Sequence, residues 1–322
     1  MARILTGVQS TGTPHLGNLL GAVLPAIKMA KASMDNSFLF IADLHSLTQI
    51  KNGEKLRENT FATAATWMAC GLDTEKTHFY RQSDVSEVAE LTWYLNCFFP
   101  YQRLTLAHSF KDKSENLSDI NTGLFTYPML MAADILLYDA EVVPVGKDQL
   151  QHLEITRDVA IKFNNQYGET LVVPESSINE QTKYVIGTNG EKMSKSKNNI
   201  INIFLEEKLL KKQIMSIETD SKPLESPKNP ETCNVFKIYS LLASNEMIED
   251  LRSKYKNGGF GYGHAKKELL DLILNKFSKP RDKYNYLMSN KNEIDQILSE
   301  GSKKASKTAN QVMDRVRKKL GY

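Results

Sequence analysis

Thr13, Pro14, His15, Leu16, Gly17 and Asn18 stand where a short apolar run ends and a helical pattern begins, a place at which a chain can hold phosphate. A helix N-terminus presents unpaired backbone amides and a partial positive charge. His15 and Asn18 can add side-chain donors there, and Gly17, without a side chain, lets a flat base lie against the backbone. Taken alone, His15 fits a helix cap equally well. A second cluster begins 175 residues after Gly17: Lys192, Met193, Ser194, Lys195 and Ser196, preceded by Gly190 and Glu191 and followed by Lys197 and Asn198. Two lysines in a glycine-flanked polar loop can reach around a triphosphate and neutralise charge as pyrophosphate leaves. By composition alone a solvated charged loop fits as well. Neither cluster has the G-x-x-x-x-G-K-[ST] spacing of a Walker loop, although 187–192 comes near it. A third signal is an acid in apolar company: Asp134 interrupts the run 130–137, and a buried carboxylate must find a partner or a ligand.

The elements that must position these groups can be read from periodicity. Residues 3–8 form a strand-like run that ends at Gln9, Ser10, Thr11 and Gly12, and a helical stretch follows over 18–32. A second run, 37–42, ends in the polar Asp43 and His45, with helical sequence to residue 70. Residues 77–81 read as a third strand and 86–98 as the helix behind it. Strands alternating with helices predict a parallel sheet covered on both faces, with ligands at the carboxyl ends of the strands. The expected class is therefore α/β, a Rossmann-like parallel sheet followed by an all-helical C-terminal part. Three prolines in 221–232 break the helical pattern as a linker would, and helices are expected over 235–243, 264–277 and 301–320. The expected division is 1–200 for the catalytic domain, with an inserted helical segment at about 47–125, and 201–322 for the helical domain.

Composition limits the alternatives. The 322 residues are 41% hydrophobic and 25% charged, an ordinary globular balance that allows about two cores. No run approaches the length of a membrane-spanning helix and no secretory signal opens the chain, so a cytoplasmic protein with no membrane contact is expected. Cys70, Cys97 and Cys233 are too few and too scattered for a disulfide framework or a zinc site, and no protein-bound metal is expected. The net charge of +3 says little, but Lys303, Lys304, Lys307, Arg315, Arg317, Lys318 and Lys319 face only Asp314 across 301–322.

The two phosphate-binding clusters resemble the HIGH-like and KMSKS signatures of class I aminoacyl-tRNA synthetases, with Asn18 in the form of the tryptophan and tyrosine branch. Within that branch the chain resembles the tryptophanyl-tRNA synthetases. The residues that carry the likeness are Gly7, Val8 and Gln9, the run from Thr126 to Leu136, the run from Val143 to Gln149, and His152 and Arg157 beyond. The resemblance covers most of 3–220 and, more weakly, the helical remainder.

That resemblance implies ATP-dependent activation of L-tryptophan and its transfer to tRNA(Trp), with Mg²⁺ on the ATP and a homodimer as the usual assembly. Asp134 would accept the indole N–H, Gln9, Tyr127 and Gln149 would hold the amino and carboxylate groups, and Met131, Val143 and Val145 would wall the ring. Gln9, Ser10, Thr11, Gly17, Asn18, Gly146, Lys147, Asp148, Lys192, Met193, Ser194, Lys195 and Ser196 would contact ATP. Val185 or Ile186, in an expected strand at 183–186, would touch adenine. His15, Asn18, Lys113, Lys192 and Lys195 would carry the catalysis. The alternatives are a tyrosyl-tRNA synthetase and a tRNA-independent nucleotidyltransferase paralogue. The reading requires that the two distant clusters meet in the fold and that Asp134 lie away from water.

Overall fold

The computed structural model describes residues 2–33, 36–106, 120–146, 149–178 and 184–322. The first apolar run forms β1 (Ile4–Val8), and a polar corner leads into α1 (Leu16–Asn18), a π turn (Leu19–Val23) and α2 (Leu24–Ser33). The π turn has a local cause. Pro25 has no N–H to donate and its ring crowds the preceding turn, so the ladder widens and the Leu24 N–H reaches back to the Leu19 carbonyl. β2 (Ser37–Ile41) is buried along its whole length, as a strand covered on both faces should be. It leads to α3 (Asp43–Ser46) and α4 (Gly53–Ala69), the latter capped by Asn52, which accepts the Lys55 N–H. β3 (His78–Arg81), a 3-10 turn (Gln82–Asp84), α5 (Glu87–Phe98) and α6 (Tyr101–Thr105) complete this side. The segment 47–125 thus supplies a strand as well as helices. Across the sheet follow α7 (Thr122–Leu136), β4 (Val142–Val145), α8 (Leu150–Tyr167) and β5 (Glu175–Ile178).

The five strands are parallel, in the order β3-β2-β1-β4-β5. The chain runs outward from β1 to β3, then crosses to the other side of β1, so the connections from β1 and β4 leave in opposite directions. A crevice opens between their carboxyl ends. Alternate strand residues sort into two cores: Leu39, Ile41 and Phe79 face one with Leu16 and Trp67, while Leu5, Phe38, Phe40 and Tyr80 face the other with Leu136 and Phe163.

The helical half extends the first of these cores. It comprises α9 (Glu207–Met215), α10 (Asn234–Ser240), α11 (Asn245–Asn257), α12 (Tyr262–Lys276) and α13 (Ser278–Ser289), whose Val235, Tyr255, Leu269 and Leu287 join the cluster that holds Leu16. The expected proline-rich break at 221–232 is a loop wrapped around Lys228, which is only 3% exposed. Its ammonium donates to the carbonyls of Pro223 and Leu224 at 3.1 Å and of Ser226 at 3.0 Å, satisfying a buried charge without an acid.

The last helix, α14 (Lys291–Leu320), starts well before the expected residue 301. Gly301 lies in its interior because the helix touches β3 there: a Cβ at this position would sit 1.8 Å from the Phe79 carbonyl oxygen. Ile294 and Leu298 enter the first core, and Ala305, Ala309, Val312 and Val316 enter the second. The helix therefore crosses β3 from one face of the sheet to the other and covers its edge. Four of its basic residues are engaged within the molecule, Lys291 with Glu58 at 2.6 Å, Lys304 with the Glu75 carbonyl at 3.0 Å, Arg315 with Asp139 at 2.6 Å and Arg317 with Glu90 at 2.5 Å. Lys303, Lys307, Lys318 and Lys319 face solvent.

Replacing Gly301 by valine should push α14 off the strand and cost about 2–3 kcal/mol, the usual penalty for overpacking. Thermal unfolding followed by circular dichroism should show a lowered midpoint; an unchanged midpoint would mean that the close approach at Phe79 is dispensable.

Candidate active site

The two clusters that lie far apart in sequence touch in the fold. His15 is the N-cap of α1: its Nδ1 accepts the Asn18 N–H at 3.3 Å, while Asn18 Oδ1 accepts the His15 N–H at 3.1 Å. Both readings of His15 therefore meet in one residue, since the cap uses Nδ1 and leaves the ring proton on Nε2. Burial, with the nearby Lys195 ammonium adding to it, pushes the His15 pKa down to about 4, so the ring is neutral at physiological pH. The Gly17 N–H points at Met193 Sδ, 3.3 Å away, and the Leu16 N–H donates to the Ile201 carbonyl at 2.8 Å. A Cβ on Gly17 would meet the His15 ring at 3.0 Å and Met193 Cβ at 3.4 Å, and one on Gly12, whose φ is +139°, would lie 3.1 Å from Lys195 Nζ. Burial lowers the Lys195 pKa to about 8, still largely a cation at neutral pH.

The lysine cluster lies in a glycine-flanked loop, as expected, closed by a tight hairpin, and the described part of the expected strand, 184–186, forms only an isolated bridge. The Met193 N–H donates to Val185 O at 2.9 Å, the Gly187 N–H to Glu191 O at 2.7 Å, and Ile186 forms an isolated antiparallel bridge with Lys192. Gly190, with φ of +81°, lies in the turn that closes the reversal. Asn199, 2% exposed, anchors the loop by accepting the Ser194 N–H at 2.8 Å and donating to Lys192 O at 3.1 Å. Val185 and Met193 side chains are buried in the core below, Ser194 and Ser196 hydroxyls bond to each other at 2.8 Å, and Lys192 is exposed.

Beside this corner, at the carboxyl ends of β1 and β4, lies a cavity of about 510 Å³. Among the residues expected around the amino acid, Gln9, Tyr127, Met131, Asp134, Val143 and Gln149 all line it, as does Gly146. The Phe40 ring packs so closely under Gly7 that a Cβ there would meet it at 2.4 Å. Asp134, on α7, is 3% exposed. Its Oδ2 is 2.9 Å from His45 Nε2, and the Gln82 carboxamide donates to Oδ1 at 2.8 Å and to Oδ2 at 3.0 Å. Burial raises the Asp134 pKa against the lowering effect of these donors. Tyr127 and His152 are hydrogen-bonded through the phenol oxygen and Nε2.

Ser10 does not reach this space with its side chain. It is fully buried, its hydroxyl lying 3.2 Å from Ser46 Oγ and receiving the Thr60 hydroxyl at 3.2 Å. Thr11, Gly17 and Asn18 are half-buried at the corner. Lys113, Lys147, Asp148 and Lys183 fall outside the described residues, as does the side chain of Val145. His45 and Gln82 were absent from the expected site. The signal for them is positional: Gln82 directly follows β3 and His45 lies in the short helix just beyond β2, at the carboxyl ends where a parallel sheet places its ligand-facing groups.

The family model for tRNA synthetases class I (W and Y) matches residues 1–278. The tryptophan–tRNA ligase of Campylobacter jejuni (strain RM1221) is 46% identical over 319 residues, 99% of each chain. That of Fusobacterium nucleatum is 48% identical over 322 residues, 100% of this chain and 98% of the relative. Among solved structures, tryptophanyl-tRNA synthetase from Campylobacter jejuni complexed with ADP and tryptophan superposes with a TM-score of 0.96 at 46% identity, covering 99% of this chain and 100% of that one. The Mycoplasma pneumoniae enzyme superposes at 0.81 with 29% identity, covering 100% and 98%.

The neutral His15 makes a linkage prediction. Its folded pKa, about 4, lies below its ordinary value of 6.5, so the unfolded chain takes up a proton that the folded chain refuses. Stability should therefore fall as pH drops from 6.5 toward 4, and be unaffected by this group above 6.5. In His15→Gln that part of the slope should vanish from urea midpoints measured across the window; an unchanged slope would show that His15 is not the group responsible.

Proposed function

The chain belongs to the class I tRNA synthetases of the tryptophan and tyrosine group, and on that premise we propose that it joins tryptophan to tRNA in the crevice between β1 and β4. It uses ATP to convert L-tryptophan to tryptophanyl-adenylate and transfers the amino acid to tRNA(Trp) in translation. The observation that carries this reading is the direct contact between the two phosphate-binding clusters beside a cavity that holds a buried acid. The near relatives are ligases of tryptophan, which sets aside both the tyrosine enzyme and a paralogue that no longer charges tRNA.

In the proposed ground state Asp134 accepts the indole N–H, the one polar group of the ring. Gln9, Tyr127 and Gln149 hold the amino and carboxylate ends, and Met131, Val143 and Val145 wall the ring. ATP, with Mg²⁺ on its phosphates as part of the substrate, lies along Gln9, Thr11, Gly17, Asn18, Gly146, Lys147 and Asp148 and under the Lys192 to Ser196 loop, with adenine against Val185 or Ile186. Ser10 supports this corner from the interior. The tryptophan carboxylate is ionised at neutral pH and attacks the α-phosphate directly, so no general base is needed. Pyrophosphate leaves as Lys113, Lys192 and Lys195 neutralise its charge and the neutral His15, with Asn18, offers donors at the corner. The terminal ribose hydroxyl of the tRNA then attacks the adenylate carbonyl and AMP departs.

We propose likewise how the chain is divided, assembled and placed. Residues 1–200 form the catalytic unit and 201–322 the unit that meets the anticodon, with the exposed lysines of α14 available to phosphates. Trp93, Tyr101 and Leu106, which are 68%, 66% and 62% exposed along α5 and α6, are the face on which a second copy seats in a homodimer. The enzyme works in the cytoplasm.

An ATP–pyrophosphate exchange assay tests the assignment: exchange should depend on tryptophan and not on tyrosine, tRNA(Trp) should be charged, and Asp134→Ala should lower kcat/KM for tryptophan about 100-fold. Exchange driven by tyrosine, or by no amino acid, would overturn it. A second expectation follows from Lys195, which is a cation below about 8 and neutral above it. Because kcat/KM reports groups on the free enzyme, its value for ATP should fall as pH rises through that point, and Lys195→Arg should remove the alkaline limb.

A further inference from the structure

A carboxylate on the inner face of a helix has no backbone amides within reach, because the helix uses its own. Asp134, in the last turn of α7 where the free backbone groups are carbonyls, is therefore held by donors from elsewhere, and they come from the segments that follow two strands. Gln82 follows β3. Its Nε2 donates to both Asp134 oxygens, at 2.8 and 3.0 Å, while its Oε1 accepts the N–H groups of Leu44 at 3.1 Å and His45 at 3.4 Å. Those two amides fix which way the carboxamide faces: reversed, it would set oxygen against carboxylate and nitrogen against two N–H donors. The residue is 2% exposed. The same two corners are braced in the opposite sense, since Asp43 accepts the Ser83 N–H at 3.0 Å and the Ser83 hydroxyl at 2.5 Å.

The acceptor arithmetic is specific. A carboxylate offers about four lone-pair positions. On Asp134, Oδ2 receives His45 Nε2 and Gln82 Nε2, and Oδ1 receives Gln82 Nε2 alone. Among the described residues, one position, on Oδ1, is left.

Resting on the assignment of this cavity to tryptophan, we propose that Gln82 is the positioning residue that orients Asp134 so that its one remaining lone pair meets the ring N–H. It reaches no substrate itself. It acts through the acid, and it makes the choice of ring depend on a brace between β2 and β3 that also carries His45.

Two variants separate positioning from mere packing, measured in the wild-type full chain background by tryptophan-dependent ATP–pyrophosphate exchange across a pH series. Gln82→Met keeps the shape and removes the donor, so the buried acid holds its proton more tightly and accepts poorly. KM for tryptophan should rise about 10- to 100-fold at neutral pH and recover as pH increases. Gln82→Glu keeps the shape with a carboxyl group that can donate only while the pair shares a proton, so its KM should worsen as pH increases. In both, KM for ATP should stay near the wild-type value. The other titratable groups around Asp134 are Asp43 and His45 from α3, Tyr80 from β3 and Tyr138 beyond α7. They are common to both variants and cannot reverse the slope between them. Opposite slopes in tryptophan KM support the proposal; slopes of the same sign, or an unchanged KM, overturn it. If Gln82→Met fails to fold, the slope of the isosteric Glu variant decides alone. A wild-type protein that shows no tryptophan-dependent exchange would instead bring down the assignment of the cavity, which is a separate result.

Discussion

Asp134 places a carboxylate where water does not reach, and a charge in such a position is tolerated only when donors surround it. Helix α7 cannot provide them, so the fold brings two strand ends and a short helix to the acid. The order of strands makes this possible: β2 and β3 lie on one side of β1, and α7 crosses over them to reach β4 on the other. The crevice, the acid and its donors are thus consequences of a single reversal in the sheet. A chain with the same residues but a different strand order would leave the acid unpaired.

The corner after β1 solves the opposite problem, collecting positive potential without repelling its own parts. His15 is kept neutral by burial and by Lys195, while Lys195 itself stays a cation at neutral pH. One ring nitrogen caps α1 and the other keeps a proton to donate, so the helix end and the histidine add donors while the lysine adds charge. Gly12, with φ of +139°, and Gly17 are the positions where a Cβ would crowd the Lys195 ammonium or the His15 ring.

Much of this was readable in the residues. The runs that form β1, β2 and β3 are visible because strands covered on both faces are largely apolar, and the clusters at 13–18 and 192–196 are visible because their spacing and composition are unusual. Asp134 stood out as a charge in an apolar run. What escaped has physical reasons. Gly301 reads as a helix boundary, whereas it permits helix and strand backbones to touch, a tertiary fact with no local signature. The stretch near Ile186 has strand composition but pairs only with the chain just beyond the turn at Gly190, as an isolated bridge rather than as a strand of the sheet. α9, α11 and α13 went unassigned beside stronger patterns. Ser10 looked available because sequence does not reveal that Ser46 and Thr60 converge on it. His45 and Gln82 look ordinary in sequence, since a hydrogen bond between residues 52 positions apart leaves no local trace.

The crossing of α14 over β3 also sets an order of events during synthesis. β3 is made early and its cover much later in the chain, so through that interval of synthesis one flank of the sheet has unpaired amides and carbonyls with no helix over them. An open strand flank is a template for pairing with other chains. The nascent protein therefore stays vulnerable to association at this flank until the thirty residues of α14 arrive, and whatever shields β3 until then governs how much of it reaches the finished state.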